Sequence, residues 1–114
     1  MNKPVLGIQL YTLRDFCQDA ESFDGILAYL SSLGVTDVQI SAIGPIPAAT
    51  QKEILDKHNM KVCVTHKPLD RYVDDTDALI EEHKIIDCYA LGLGAAPSDA
   101  RDTKEAVDTF LEKV

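Results

Sequence analysis

Short apolar runs alternate with longer stretches of helical periodicity along the whole chain. Four runs have the length and composition of buried strands, namely 5–11 (VLGIQLY), 35–40 (VTDVQI), 62–65 (VCVT) and 86–91 (IDCYAL). Runs of about four to eight apolar residues bounded by turn residues are typical of strands in parallel sheets, because both faces of such sheets are covered. The pattern therefore predicts four short strands.

A stretch with helical spacing follows each run. The first helix is predicted to begin with Ser22 as its N-cap and to stop at Gly34, since serine accepts hydrogen bonds from free backbone N–H groups and glycine ends many helices. The second is expected to end near Asn59, and the fourth to begin with Asp102 and Glu105 as a capping box. The positions at core spacing are Phe23, Ile26, Leu27, Leu30, Leu33, Ile54, Leu55, Leu79, Ile80, His83, Ala106, Val107, Phe110, Leu111 and Val114.

The alternation amounts to four βα units in one domain, residues 1–114. Consecutive βα units are joined by right-handed crossovers and build a parallel sheet. Two architectures satisfy this order, a doubly wound α/β sheet and an arc of a (β/α)8 barrel, whose usual length is about 250 residues. The length of 114 residues favours the doubly wound sheet, and the motifs described below favour the barrel.

The third strand and its loop, 61–70 (KVCVTHKPLD), carry the clearest sign of a functional site. The strand ends in His66, and Pro68 prevents it from continuing as a central strand. Parallel α/β proteins place their sites at the carboxyl ends of the strands. His66 is therefore predicted to lie at a binding site.

Composition and charge narrow the class of protein. The 46% hydrophobic and 26% charged residues are ordinary for a globular domain. No apolar run approaches the roughly 20 residues of a membrane span, and no signal peptide is visible, so we expect a cytoplasmic protein with no membrane partner. The net charge of −8 disfavours nucleic acid as a partner, because phosphate backbones are bound by clustered Lys and Arg. Cys17, Cys63 and Cys88 form no CxxC motif and are expected to be reduced.

Four strand-end motifs together resemble one family. The stretches LGIQLYTLRD, GVTDVQISAIGPIP, KVCVTHKPLDR and IEEHKIIDCYALGLG are similar, in order and spacing, to the amino-terminal half of sugar phosphate isomerase/epimerase proteins. These proteins belong to the xylose isomerase-like TIM barrel superfamily, which also contains endonuclease IV. The resemblance covers essentially the whole chain. It implies an α/β fold of four βα units with a parallel sheet, the N-terminal half of a (β/α)8 TIM barrel.

The resemblance also implies a reaction, metal-assisted proton transfer on a sugar or sugar phosphate. In the family most of the ligands of the divalent metal (Mn, Mg or Zn) and the catalytic base lie in the second half. We therefore expect no catalytic residue, no metal ligand and no cofactor bound by this chain alone, and a chain that is catalytically incomplete by itself. The alternative is a non-catalytic α/β binding or structural module.

Five residues take substrate-binding roles by this resemblance. Gln9 and Tyr11 close the first strand and would bond sugar hydroxyls or plug the barrel mouth. His66 would line the pocket, or ligate the metal in a complete barrel, or else be a structural histidine. Arg14 would receive a phosphate or carboxylate or else form a loop salt bridge. Gln39 stands where many relatives have glutamate, and its amide can serve neither as a base nor as a strong metal ligand.

Two loops carry weaker functional signals. Lys67, Asp70 and Arg71 follow the third strand and are expected to be mainly solvated. Gly92 and Gly94 precede a helix and could approach a phosphate with backbone N–H groups, but a GLG sequence is a weak signal.

Four parallel strands would leave two unpaired edges and an apolar inner face. We therefore expect a homodimer in which two copies close a pseudo-eightfold barrel, with a small sugar or sugar phosphate as the other partner.

Overall fold

The structure, a computed structural model, describes residues 4–94 and 98–113. Its strands are β1 (Ile8–Gln9), β2 (Asp37–Ile40), β3 (Lys61–His66) and β4 (Leu91–Gly92), and its helices are α1 (Ala20–Ser32), α2 (Ala48–Lys57), α3 (Leu69–Asp74), α4 (Thr76–Ile85) and α5 (Lys104–Lys113). Two 3-10 helices, Leu10–Phe16 and Ser98–Ala100, complete the described elements. In this part of the chain no helix has the length and apolarity that crossing a bilayer requires.

The strands form one parallel sheet in the order β1-β2-β3-β4. Sequential order with right-handed crossovers places all connecting helices on the same face, which is the arrangement in a barrel. A doubly wound sheet instead reverses its strand order at a switch point. The predicted α/β fold of four βα units is confirmed, and the strand order decides for the barrel arc against the doubly wound sheet.

The two faces of the sheet differ in chemistry. On the face covered by helices, Ile8 pairs with Val38 and Val38 pairs with Val62. On the open face, Gln9 pairs with Gln39. A bulge in β3 opposite Val38 and Gln39 shifts the register by one residue, so that Gln39 pairs with Val64. Val64 and His66 therefore lie on the open face together with Gln39.

The core lies between the covered face and the helices. Aromatic and aliphatic side chains of α1 and α2 meet the strand residues there, and Phe23 and Leu27 are completely buried. Burial raises the pKa of the Cys17 and Cys88 thiols, because a thiolate is poorly solvated in an apolar core. The core residues are Leu10, Cys17, Phe23, Leu27, Leu30, Val38, Ile40, Ile46, Ile54, Leu55, Met60, Val62, Ile86 and Cys88.

Helix α1 begins one turn earlier than predicted. Asp19, not Ser22, is the N-cap, and its carboxylate accepts a hydrogen bond from the Ser22 backbone N–H at 2.8 Å. Ser22 Oγ accepts in return from the Asp19 N–H at 3.2 Å, which completes a capping box. Hydrogen bonding from Ser22 to the Asp19 carboxylate, first of all from the Ser22 backbone N–H, lowers the pKa of Asp19. Aspartate and serine are both good caps, and the reciprocal pair favours the earlier start.

The first and fourth strands are much shorter than the apolar runs that predicted them. Leu10 is buried, but the chain turns there into a 3-10 helix, so Tyr11 is helical and not part of the strand. Ile86 and Cys88 are buried in the core without belonging to a strand, and Asp87 adopts a left-handed conformation with φ 55°. An apolar side chain indicates that a residue is buried, but not that its backbone forms hydrogen bonds with a neighbouring strand. This explains why β1 and β4 are both shorter than their apolar runs.

The last two loops and helices also differ from the prediction. The loop after β3 contains helix α3, and Ile80 is 44% exposed although its neighbours Leu79 and His83 are buried. Thr103 caps α5, since its Oγ1 accepts from the Ala106 N–H at 3.1 Å, so the predicted box at residues 102 and 105 is wrong. Leu111 is 59% exposed and α5 does not join the core cluster. Val114, predicted at core spacing, lies outside the described residues.

The loops after β1 and β2 are held together near the carboxyl end of the sheet. The Gly44 N–H donates to the Cys17 carbonyl at 2.9 Å. The Gln18 amide donates to the Arg14 carbonyl at 2.6 Å and the Ala42 carbonyl at 3.4 Å. These hydrogen bonds fix the loops after β1 and β2 relative to each other, next to the candidate site.

Candidate functional site

A cleft of about 530 Å³ opens at the carboxyl ends of the strands. It draws residues from the ends of β1 and β3, from the loop after β2 and from the residues after β4, so it lies where the mouth of a barrel would be. Three residues predicted as substrate-binding from the sequence lie in its wall. The lining residues are Gln9, Tyr11, Ser41, Ala42, His66, Lys67, Pro68, Leu93 and Gly94.

Gln39 joins this group through His66. Its amide nitrogen lies 3.0 Å from Nε2 and 3.1 Å from Nδ1 of the His66 ring, and it donates to a ring nitrogen that is not protonated. Both side chains are partly buried on the open face of the sheet. The amide oxygen of Gln39 remains able to accept a hydrogen bond from a bound hydroxyl.

The His66 ring lies against the backbone of β4 and the residue pair that follows it. A Cβ placed on Gly92 would lie 2.6 Å from His66 Cδ2, and one on Gly94 would lie 3.2 Å from His66 Nδ1. The two glycines therefore make room for the imidazole. Their presence is explained by this contact, and no phosphate-binding loop is needed to account for them.

Tyr11 and Arg14 form a stacked pair in the 3-10 helix after β1. The Arg14 guanidinium carbon lies 4.2 Å from the centre of the Tyr11 ring, which is cation–π geometry, and Nη1 donates to the Tyr11 carbonyl at 2.8 Å. Arg14 forms no ion pair with any carboxylate among residues 4–94 and 98–113. Arg14 thus orients Tyr11 but is not part of the cleft wall.

A second cleft, of about 700 Å³, adjoins the first between the loop after β2, the loop after β3 and α4. The two clefts share five wall residues, Ser41, Ala42, His66, Lys67 and Pro68. Lys67 and Arg71, which the sequence placed among solvated loop residues, both line the second cleft and are half-buried. The only sequence signal for Lys67 is its place directly after His66 at a strand end.

A buried hydrogen-bond chain anchors the end of β3 to α4. The Nδ1–H of His83 donates to the Leu79 carbonyl at 2.7 Å, so its Nε2 accepts from the Thr65 hydroxyl. Thr65 is completely buried and His83 nearly so. Thr65 directly precedes His66 in β3, and its side chain lies on the face covered by helices. Its hydrogen bond with His83 therefore fixes the end of β3 that carries the His66 imidazole.

The donor set of the site does not fit a metal. Across the described ranges no group of three or more His, Cys, Asp or Glu side chains could hold an ion. The nearest partner of His66 is an amide, which is a weak ligand. A divalent metal at this mouth would need ligands from outside this chain.

Comparison with known proteins shows the fold. No protein-family model matches the sequence, and no curated protein matches it significantly. The crystal structure of a sugar phosphate isomerase/epimerase from Parabacteroides distasonis is similar over 99% of this chain with a TM-score of 0.70. This chain has the fold of about half of that protein. The match covers 47% of that chain, with 14% sequence identity.

The likeness agrees with the strand order. A partial TIM-barrel-like α/β fold, expected from the four strand-end motifs, is what the sheet topology and the neighbour both show. At 14% identity the likeness establishes the fold and leaves the activity to be argued from the site.

Proposed function

We propose that this chain forms one half of the substrate pocket of a sugar or sugar phosphate isomerase/epimerase. The observation that carries the proposal is the convergence of Gln9, Tyr11 and His66 in one cleft at the carboxyl ends of the strands, with Gln39 bonded to His66. Amide, phenol and imidazole groups pair well with the hydroxyls of a sugar. The fold shared with half of an isomerase/epimerase supports the same conclusion.

Each residue has a distinct task in this proposal. The Gln39 amide sets the orientation of the His66 ring, and its free oxygen accepts a hydrogen bond from a sugar hydroxyl. Gln9 and Tyr11 bind the other side of the sugar, and Arg14 keeps the Tyr11 ring in place. None of the described residues in the wall of this cleft is acidic. The group that takes a proton from the sugar carbon, and the ligands of any divalent metal, would come from the rest of the barrel.

Sugar binding can be tested by titrating a hexose or pentose into the labelled protein and following backbone and side-chain NMR signals. We expect the signals of Gln9, Tyr11, Gln39 and His66 to shift together. Gln39→Leu and Tyr11→Phe should each weaken binding about tenfold, the loss of one or two good hydrogen bonds. Tyr29→Phe is the matched control, because Tyr29 is exposed on α1 away from the cleft. Equal binding by the Tyr11→Phe and Tyr29→Phe variants would support the non-catalytic module.

We also propose that a second copy of the chain closes the open face. In the described sheet β1 and β4 each pair on one side only, and the face carrying Gln39 has no helix over it. An unpaired edge with free N–H and C=O groups favours pairing with another strand. Two copies would supply the eight strands of a closed barrel.

Light scattering at increasing protein concentration tests the dimer. We expect a mass of twice 12.5 kDa, and we expect Val64→Asp to return the protein to 12.5 kDa because Val64 pairs with Gln39 on the open face. Val73→Asp is the control, since Val73 is exposed on α3. A wild-type protein that stays at the monomer mass, with a well-dispersed NMR spectrum, would contradict the dimer.

A further inference from the structure

Lys67 stands in the wall between the two clefts. It lines the 530 Å³ cleft together with His66 and also the 700 Å³ cleft together with Arg71. A ligand that occupies the barrel mouth and extends outward between the loops after β2 and β3 would therefore contact Lys67. Among the residues that the structure describes, Lys67 is the only Lys, Arg, Asp or Glu that lines both clefts.

The charges around Lys67 leave its ammonium group uncompensated. Arg71 is neutralised locally, because its Nη2 donates to Glu82 Oε1 at 2.9 Å and its Nε lies 3.0 Å from Asp75 Oδ2. Lys67 itself makes no ion pair and no side-chain hydrogen bond with any residue the structure describes. Of the two cations in the wall of the larger cleft, Arg71 is already paired, and Lys67 is the one without a carboxylate partner among the described residues.

Desolvation adds to this imbalance. Partial burial lowers the pKa of Lys67, and the attraction of Glu82 and the repulsion of Arg71 oppose each other. A cation that has lost solvent without gaining a partner favours the arrival of an anion, because the anion restores the lost stabilisation. In a chain with a net charge of −8, a partly buried lysine without an ion pair among the described residues is a specific feature and not a general property of the surface.

We propose that Lys67 binds the phosphate group of a sugar phosphate whose sugar lies against Gln39 and His66. This rests on the proposed function and adds the residue that binds the phosphate group. A phosphate monoester suits the site because a lysine ammonium binds phosphate as a point charge and can donate up to three hydrogen bonds. His66 and Lys67 both line the 530 Å³ cleft, so one small ligand can contact both.

The geometry favours Lys67 over Arg14 as the phosphate residue. The Arg14 guanidinium stacks on Tyr11 and is bonded to the Tyr11 carbonyl, so binding a phosphate would cost it these contacts. Arg14 also lies outside the walls of both clefts. Lys67 has no such contacts to lose within the described residues.

Inorganic phosphate is the probe that tests the site without a sugar. We expect titration of the wild-type protein to shift the side-chain NMR signals of Lys67 and to raise its measured pKa. Lys67→Met should weaken phosphate binding at least about tenfold, and Lys67→Arg should retain most of it. Lys84→Met removes the same charge from an exposed position on α4 and should bind like the wild type.

Three results would overturn the proposal. These are wild-type protein that does not bind phosphate, Lys67→Met and Lys84→Met variants with the same affinity, and loss of binding in an Arg14→Met variant while Lys67→Met still binds. Thermal unfolding of each variant establishes that the fold is intact, and Lys67→Gln, which also removes the charge, takes the place of Lys67→Met if that variant is unstable.

A neutral sugar separates this inference from the proposed function. If phosphate binds at Lys67 while a sugar leaves the signals of Gln39 and His66 unchanged, the anion site stands and the isomerase pocket fails. If the sugar binds and phosphate does not, the pocket stands and the assignment of Lys67 fails. Where both hold, a sugar phosphate should bind more tightly than either part alone, because the two contacts are linked in one molecule.

Discussion

Replacing Gly44 by alanine is expected to destabilise the fold by about 3 kcal/mol or more. A Cβ at this position would overlap the backbone carbonyl group of Gln18, and a backbone cannot rotate away as a side chain can. Relief would require the loops after β1 and β2 to separate, which would break the hydrogen bond from Gly44 to the Cys17 carbonyl. Chemical denaturation of the Gly44→Ala variant measures this loss directly.

Gly25→Ala is the matched control for this experiment. Nothing lies within 4 Å of a Cβ added at Gly25, which is exposed within α1. Alanine there should raise the free energy of unfolding by about 0.5 to 1 kcal/mol, because glycine loses more backbone freedom in a helix. Opposite signs for the two variants would show that close packing of the loops, and not a general effect of added methyl groups, determines the result. A Gly44→Ala variant as stable as the wild type would contradict the loop contact.

Replacing Gly92 by alanine is expected to displace the His66 ring and to abolish measurable sugar binding. The new methyl group would lie 2.6 Å from His66 Cδ2 and 3.3 Å from the Thr65 carbonyl oxygen. The imidazole is the part that can move, since rotating a side chain costs less than moving a strand. Its movement would break the hydrogen bond from the Gln39 amide, which is the contact that joins the second and third strands in the cleft.

The direct readout is the NMR signal of the His66 ring and of the Gln39 amide group, with sugar affinity as the second measurement. We expect both signals to shift strongly in Gly92→Ala while the free energy of unfolding falls by only about 1 to 2 kcal/mol. Gly94→Ala is the graded control, because its Cβ would approach Nδ1 at 3.2 Å and a small adjustment suffices. Unchanged His66 signals in Gly92→Ala would show that the ring does not rest on this backbone.

Several structural facts followed from the sequence because they depend on local chemistry. Each apolar run overlaps one strand, although β1 and β4 have only two residues each. Helices followed the first three runs at the positions that the periodicity predicted. The carboxyl ends of parallel strands meet at one edge, so Gln9, Tyr11 and His66 could be expected at one mouth, and they line one cleft. Their binding roles remain predictions that the sugar titration tests.

Leu33, Ile80 and Leu111 stand at core spacing but are exposed, whereas the errors in the strands have a different cause. Hydrophobicity indicated that Leu10, Ile86 and Cys88 are buried, and they are buried. It could not tell whether their backbones belong to a strand, because burial and ladder hydrogen bonding are separate conditions. The position of the α1 cap was missed for a similar reason, since Asp19 and Ser22 are both suitable caps and only their mutual hydrogen bonds decide between them.

By itself, therefore, the sequence determined the four βα units, many of the core residues in the strands and in α1 and α2, and the histidine at a strand end, because these depend on residue type and spacing along the chain. Only the tertiary structure decided that the strands run in sequential order, that Gln39 meets His66, that Gly92 and Gly94 make room for the imidazole, and that Lys67 stands unpaired between two clefts. These features depend on contacts between residues at least 25 positions apart in the chain or on the balance of charge around one side chain in space, and neither is encoded in local pattern.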